Sequence, residues 1–229
     1  MRKISGILFD FNGTLLFDSK MHMQAFRRAC AMYSHPEMSD EYMIKNVFGR
    51  TTERIYKENF NPDATIEECE IFNDLKKKLY FEACLALPES FKLGEGVREM
   101  LDYLKDNNIP YALATGSDRE EVDFFMTHLG LERWFSYDKN LVYTDGTFRG
   151  KPDPDCYILA AERISLPISE CAVFEDGKSG IMAARAAGCA AVIAMYERGI
   201  PSPVSPDMPL DGEYHSFAGW REILEGLGL

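Results

Sequence analysis

Four groups of side chains suited to one kind of chemistry are spaced along this chain of 229 residues. In chain order they are Asp10 with Asn12, Thr115-Gly116-Ser117, Lys151, and Glu175 with Asp176. A carboxylate attacks an electrophile or holds a cation, a hydroxyl at a helix start binds anionic oxygen, and an ammonium neutralises phosphate. Taken singly, each group is more typical of a helix cap, a solvated loop or a turn. Together and in order, they are the groups that phosphoryl transfer requires.

Asp10 is placed by the apolar run that precedes it. Ile7, Leu8 and Phe9 predict a buried strand, and Gly13 allows the chain to turn sharply as it leaves the sheet. In open α/β sheets the ligand crevice lies at the carboxyl ends of the strands. We therefore expect Asp10 to project into such a crevice.

The other groups are expected at the same edge of the sheet. Alternating patterns predict strands at residues 111–114, 141–143, 171–174 and 190–194, and helices at residues 155–164, 179–187 and 220–227. Ser117 with Glu120 predicts a capping box that opens a further helix ending before Gly130. Such alternation indicates an α/β fold with a parallel sheet covered on both faces.

Residues from about 18 to 87 carry helical periodicity only, which predicts an inserted all-helical domain. Phe26, Ala29 and Cys30 fall on one helical face, and Thr65 with Glu68 forms a predicted capping box. The predicted domains are therefore residues 18–87 and a discontinuous α/β core of residues 1–17 and 88–229. Near the other end, the proline-rich segment of residues 199–212 is expected to be a surface connection.

Three carboxylates are expected around one point, from Asp10, Glu175 and Asp176. They would repel one another unless a cation lay among them. Oxygen ligands of this kind favour magnesium, so Mg²⁺ is the predicted cofactor.

Composition limits the classes of partner. An apolar fraction of 46% is enough for a core, and the net charge of −12 (25 basic minus 37 acidic residues) disfavours nucleic acid and anionic membranes. Six scattered cysteines without a Cys-x-x-Cys pair favour reduced thiols and a cytoplasmic location. We expect no signal peptide, because the first apolar run is short, and no membrane span, because no stretch approaches about 20 apolar residues.

Four motifs in this order resemble those of the haloacid dehalogenase superfamily. Asp10-Phe11-Asn12-Gly13-Thr14-Leu15, with Asp18-Ser19 after it, resembles the first motif, D-x-D-G-T-L-x-D-S. The second, third and fourth motifs resemble Ala114-Thr115-Gly116-Ser117, Gly150-Lys151-Pro152-Asp153-Pro154, and Phe174-Glu175-Asp176-Gly177 with Gly180-Ile181. The likeness covers nearly the whole chain and is closest to the β-phosphoglucomutase-like and phosphoglycolate-phosphatase-like members.

The resemblance implies a Rossmann-like three-layer core with a helical cap, the cap being residues 18–87. It implies that Asp10 is a nucleophile forming an aspartyl phosphate and that Mg²⁺ is held by Asp10, the backbone carbonyl of Asn12 and Asp176. Glu175 would support the ion directly or through water. Thr115, Gly116, Ser117 and Lys151 would hold the transferring phosphoryl group.

Asn12 departs from the family pattern, which has a second aspartate there that protonates the leaving oxygen and then activates water. An amide does neither, and losing general acid–base catalysis lowers the rate about 10²–10⁴-fold, or about 3–5 kcal/mol of barrier. The metal site needs only the carbonyl oxygen of this residue. We therefore expect binding to outlast turnover.

Substrate recognition is weakly encoded. His22 and Arg50 resemble positions of the β-phosphoglucomutase-like group, Arg50 in a substrate-contacting loop and His22 near the hinge of the cap. A plain hinge or helix residue is favoured for His22, and a solvated arginine fits Arg50 equally well. The leading interpretation is a Mg²⁺-dependent phosphohydrolase of a small phosphorylated metabolite, such as a sugar phosphate, acting as a monomer or weak dimer. A phosphomutase and a phosphate-binding protein without turnover are the alternatives.

Overall fold

The structure is a computed structural model that describes residues 3–48, 50–202 and 208–229. The described chain divides into two compact units. The first comprises Met1–Phe17 with Lys92–Leu229, and the second comprises Asp18–Phe91. The second unit extends four residues beyond the insertion predicted at residues 18–87, and the role of that insertion as a cap stays a prediction.

One parallel sheet organises the described part of the first unit. Its strands are β1 (Gly6–Phe9), β2 (Tyr111–Ala114), β3 (Leu141–Val142), β4 (Cys171–Glu175), β5 (Ala191–Met195) and β6 (Gly212–Tyr214). Their spatial order is β3-β2-β1-β4-β5-β6, and every neighbouring pair is parallel. This order is the doubly wound arrangement of Rossmann-like folds, so the predicted α/β class is confirmed.

The central strands are buried at every position, as expected for parallel strands covered on both faces. The side chains of Phe9 and Phe174 lie on neighbouring strands with ring centroids 5.3 Å apart. Phe217 contacts both rings, at 6.3 and 5.6 Å. These aromatic contacts stabilise the sheet directly behind the residues that follow β1 and β4.

The second unit is helical in its described residues. Its helices are α1 (Ser19–Met32), α2 (Asp40–Asn46), α3 (Thr52–Asn59) and α4 (Ile66–Ala86). Thr65 and Glu68 form the reciprocal capping box predicted from the sequence. Phe72 of α4 contacts the rings of Tyr33, Tyr56 and Phe60 at 4.8 to 5.4 Å, which gives this unit an aromatic core of its own.

The helices of the first unit lie between or after its strands. They are α5 (Val97–Asp106), α6 (Arg119–Leu129), α7 (Asp155–Arg163), α8 (Lys178–Ala187) and α9 (Trp220–Leu227). The capping box predicted for α6 is wrong by one residue. Asp118, not Ser117, caps the helix, and its reciprocal partner is Glu121. The hydroxyl of Ser117 is used elsewhere, because it donates to the side chain of Asn12.

The segment after β5 differs from the prediction at its end. The predicted surface connection ends where strand β6 begins, at Gly212, and this strand pairs with β5. The sequence analysis predicted no strand there. Within this segment, Pro203 and Pro206 lie outside the described residues. Among the helices that the structure describes, none has the length and apolar character needed to cross a membrane.

Candidate active site

The end of β1 is the point around which the site is built. Phe9 pairs with Leu113 of β2 and with Phe174 of β4, so the residues that follow these three strands share one edge of the sheet. Asp10 is the first residue beyond β1, and its backbone N–H donates to the carbonyl of Phe174 at 3.0 Å. Since β1 lies where the strand order reverses, Asp10 occupies the position where doubly wound sheets bind ligands.

Lys151 lies between two carboxylates. Its Nζ donates to Oδ1 of Asp10 at 2.5 Å and to Oε1 of Glu175 at 2.7 Å, and the three side chains are 11%, 10% and 3% exposed. Burial opposes the charge of Lys151, but the attraction of Asp10 and Glu175 outweighs it and raises the lysine pKa well above its usual value. Lys151 is therefore a fixed positive charge at this site.

Glu175 is held on both of its carboxylate oxygens. Oε1 accepts from Lys151 and from the hydroxyl of Tyr157 at 3.0 Å, and Oε2 accepts from the backbone N–H of Gly177 at 2.7 Å. A Cβ at Gly180 would lie 1.5 Å from Oε1, so only glycine fits beside this carboxylate at the start of α8. The glycine of the fourth sequence motif therefore makes room for the acid that precedes it.

Asp176 reaches the turn that follows β1. Gly13 has a φ of 79°, and a Cβ there would lie 2.0 Å from Oδ2 of Asp176. Gly13 is thus required both by its backbone conformation and by the close approach of this carboxylate.

Asp10, Glu175 and Asp176 offer oxygen atoms that all lie within 4.8 Å of one another. Three carboxylates with the one ammonium of Lys151 leave two negative charges when all are ionised, which matches a divalent cation. Hard oxygen donors are the ligands that Mg²⁺ prefers. The residues present therefore fit the predicted ion, and the assignment of Asp10, Asn12, Glu175 and Asp176 as its ligands stays a prediction.

The loop after β2 brings hydroxyl groups to the same edge. Thr115 is buried, and its Oγ1 accepts from the backbone N–H of Ser117 at 3.1 Å. The Ser117 hydroxyl donates to Oδ1 of Asn12 at 3.1 Å, so this loop contacts the turn that carries Asp10. Gly116 lies between them with nothing within 4 Å of where a Cβ would be. The four groups predicted to meet are therefore close together in the first unit.

Tyr157 is a site residue that the sequence analysis missed. It lies on the buried face of α7 with Cys156, Ala160 and Ala161, and its ring centroid is 4.9 Å from Nζ of Lys151. Burial, reinforced by the charge of Glu175, raises the tyrosine pKa well above its usual value, so the phenol keeps its proton. A tyrosine on an apolar helical face needs a hydrogen-bond partner for its buried hydroxyl. That need is the feature of the sequence from which a contact with a polar site residue could have been predicted.

The predicted substrate residues lie in the second unit. His22 stacks on Tyr80 with centroids 4.3 Å apart, and its Nε2 is 3.2 Å from Oδ2 of Asp18. Arg50 pairs with Glu58 of α3 at 2.6 Å, and Gly49, which precedes it, lies outside the described residues. These contacts hold both side chains within their unit, and a role in substrate binding stays a prediction.

Comparison with known proteins identifies the family. Residues 7–194 match the family model described as haloacid dehalogenase-like hydrolase, which is most of the chain. The chain belongs to this family. The region matched spans all four motifs, from β1 to β5.

Two relatives of this haloacid dehalogenase-like hydrolase are named as phosphatases. The chain is 31% identical over 188 residues to a phosphorylated carbohydrates phosphatase of Thermotoga maritima, covering 81% of this chain and 82% of that protein. It is 28% identical over 199 residues to a fructose-1-phosphate phosphatase of Escherichia coli, covering 83% and 96%. The predicted enzyme class, a phosphatase-type hydrolase, is thereby confirmed.

A solved structure shares the fold over the full length. It is a haloacid dehalogenase hydrolase of Entamoeba histolytica, described as family IA, variant 3, with 30% identity and a TM-score of 0.87. The alignment covers 99% of this chain and all of that one.

Proposed function

We propose that this chain is a Mg²⁺-dependent phosphohydrolase that acts on a small phosphorylated metabolite through an aspartyl phosphate on Asp10. The observation that carries the proposal is the position of Lys151, whose ammonium contacts Asp10 and Glu175 within a group of three carboxylates. This arrangement places a cation beside the carboxylate that follows β1 and beside a cluster of oxygen ligands. It is suited to positioning a phosphoryl group.

Each group has a role in this proposal. An oxygen of Asp10 attacks phosphorus, the phosphorus–oxygen ester bond breaks, and the leaving oxygen takes a proton from solvent because the Asn12 amide has no acidic proton. Lys151 and the loop of Thr115 and Ser117 neutralise and bind the phosphoryl oxygens. Water then hydrolyses the acyl phosphate and regenerates the carboxylate of Asp10.

The predicted ion would be held by Asp10, the carbonyl of Asn12 and Asp176. When bound, Mg²⁺ neutralises charge on the phosphoryl oxygens. Glu175 supports the ion less directly, because both of its oxygens already accept hydrogen bonds from Lys151, Tyr157 and Gly177.

Sugar phosphates are the proposed substrate class. The support is the activity of the Thermotoga maritima and Escherichia coli relatives, which are phosphatases of phosphorylated carbohydrates and of fructose 1-phosphate. A cytoplasmic location and a monomeric or weakly dimeric state remain predictions from composition.

A panel of sugar phosphates and other phosphate esters tests the proposal. We expect phosphate release that requires added Mg²⁺, stops with chelator and disappears in Asp10→Asn. The matched control is Asp123→Asn, which changes an exposed aspartate of α6 that pairs with Arg119. Release that persists in Asp10→Asn, or that is equal with and without chelator, contradicts the proposal.

A phosphate-binding protein without turnover is the second candidate. It is favoured by Asn12, because an amide stands where the family pattern has an acid. The side-chain oxygen of Asn12 accepts a hydrogen bond from Ser117. Mg²⁺-dependent binding of inorganic phosphate with no hydrolysis by the native chain, but hydrolysis by Asn12→Asp, supports this candidate over the enzyme.

A further inference from the structure

Tyr157 is a buried polar side chain that the proposed chemistry does not use directly. It is fully buried on α7, and every other residue on the buried face of that helix is small, namely Cys156, Ala160 and Ala161. A buried phenol needs a hydrogen-bond partner, and here the partner is a carboxylate of the candidate active site.

The contacts of Tyr157 converge on Lys151 from two directions. The hydroxyl donates to the same Oε1 of Glu175 that accepts from Lys151 Nζ, and the ring lies 4.9 Å from that ammonium. Without the hydroxyl, Oε1 would retain Lys151 as its one donor among the described residues. The carboxylate would then be fixed only by Gly177 and by the mobile end of the Lys151 side chain, so it could shift and draw Lys151 away from Asp10.

We propose that Tyr157 is a positioning residue, which fixes the Glu175 carboxylate and thereby holds the Lys151 ammonium on Asp10. The inference rests on the proposed function of Asp10 and Lys151, and it adds a requirement that none of the four motifs contains. Tyr157 need not touch substrate, so its effect is expected on the reaction step and not on substrate affinity.

Tyr157→Phe tests this inference because it removes the hydroxyl and keeps the ring. We expect kcat for a hydrolysed phosphate ester to fall about tenfold while KM changes less than about threefold, since a hydrogen bond to a charged group is worth about 1.5 kcal/mol or more. The assay is run in the native chain and in Asn12→Asp. The matched control is Tyr111→Phe, which removes a buried hydroxyl bonded to the carbonyl of Trp134 at 3.2 Å.

A double-mutant cycle with Glu175→Gln identifies the route of the effect. If Tyr157 acts through Glu175, then Tyr157→Phe lowers kcat much less in the Glu175→Gln background than in the native background. Equal losses in both backgrounds overturn the inference. A kcat for Tyr157→Phe that matches the kcat for Tyr111→Phe also overturns it.

A crystal structure of Tyr157→Phe separates this inference from the proposed function. We expect Lys151 Nζ to move out of hydrogen-bond distance of Asp10 Oδ1, whether or not the chain hydrolyses an ester. If Nζ stays within that distance, the positioning role is wrong even when the enzyme is active. If neither the native chain nor Asn12→Asp hydrolyses an ester, the proposed function fails. The position of Lys151 in the crystal structure of Tyr157→Phe then decides the role of Tyr157.

Discussion

Asn12 is the residue at which the chemistry of this chain is most restricted. Its side chain accepts from Ser117 and has no proton of carboxylic acidity to offer a leaving oxygen. An aspartate has the same side-chain shape, and its carboxylate oxygen would accept from Ser117 as the amide oxygen does. In the proposed mechanism Asn12 therefore lowers the rate, whereas the predicted metal site needs only its backbone carbonyl.

Asn12→Asp is expected to raise kcat by about 10²–10⁴-fold, because it restores general acid–base catalysis at a position next to the nucleophile. The measurement is steady-state phosphate release from a substrate that the native chain hydrolyses or binds. Ser117→Ala in the native background is the comparison, since it removes the hydroxyl that donates to Asn12 without adding an acid. A rate for Asn12→Asp within threefold of the native rate would show that proton transfer does not limit turnover.

At the scale of elements, the site depends on how tightly the chain turns after β1 and β4. The turn after β1 carries Asp10 and Asn12, and Gly13 lies against Asp176. The exit from β4 carries Glu175 and leads into α8, where Gly180 lies against Glu175. Gly13 in the turn after β1 and Gly180 in the first turn of helix α8 thus each accommodate an acid at the same sheet edge.

Gly13→Ala is expected to abolish Mg²⁺-dependent phosphate release, because the added Cβ would overlap Asp176 and displace it. It also destabilises the fold by about 1–2 kcal/mol through the positive φ. Gly188→Ala is the matched control, since Gly188 has a φ of 80° but no atom within 4 Å of the added Cβ. It should lose similar stability in urea unfolding and keep its activity. Similar activity losses in both variants would assign the effect to backbone strain.

The capping box at the start of α4 makes a separate prediction for the second unit. Thr65→Ala removes the acceptor for the Glu68 backbone N–H and is expected to lower the free energy of unfolding by about 1 kcal/mol. Thr65→Ser keeps the hydroxyl and should restore most of that stability. Chemical denaturation followed by circular dichroism measures both, and equal stability of the two variants would contradict the role of the cap.

At the scale of the whole molecule, buried cysteine thiols and tyrosine phenols are expected to limit the stability of the fold at alkaline pH. All six cysteines, each within the described residues, are buried thiols. Burial raises the pKa of Cys84, of Cys171 and of Tyr111 to about 12 in each case. These groups lie in both units, so the effect is not confined to one of them.

The free energy of unfolding is expected to fall as pH rises from about 9 toward 12. A group whose pKa is raised by folding contributes its full stability below the pKa of the unfolded chain, and that contribution is lost as pH approaches the folded value. Urea unfolding at pH 8 and at higher pH measures the decline. Cys171→Ala should decline less steeply than the native chain, and an identical slope would rule out this thiol as a contributor.

Much of the fold in both units could be predicted from the sequence because its signals are local. The run before Asp10 is a buried strand, the helix predicted at residues 155–164 is close to α7, and Thr65 caps α4 as its spacing indicates. Strand β6 was missed because Glu213 and Tyr214 are exposed and its stability comes from pairing with β5. Ser117 was misassigned because its hydroxyl bonds a residue 105 positions away.

The sequence by itself determined which residue types follow which strands, and therefore the parallel sheet and the family. Such patterns are set by local propensity and by the need to bury apolar runs, which act over a few residues. Only the tertiary structure decided that Lys151 lies between Asp10 and Glu175, that Tyr157 supports the same carboxylate, and that Gly13 and Gly180 make room for acids. Those contacts join distant parts of the chain, and hydrogen-bond geometry in a buried site is fixed only when the strands and helices pack.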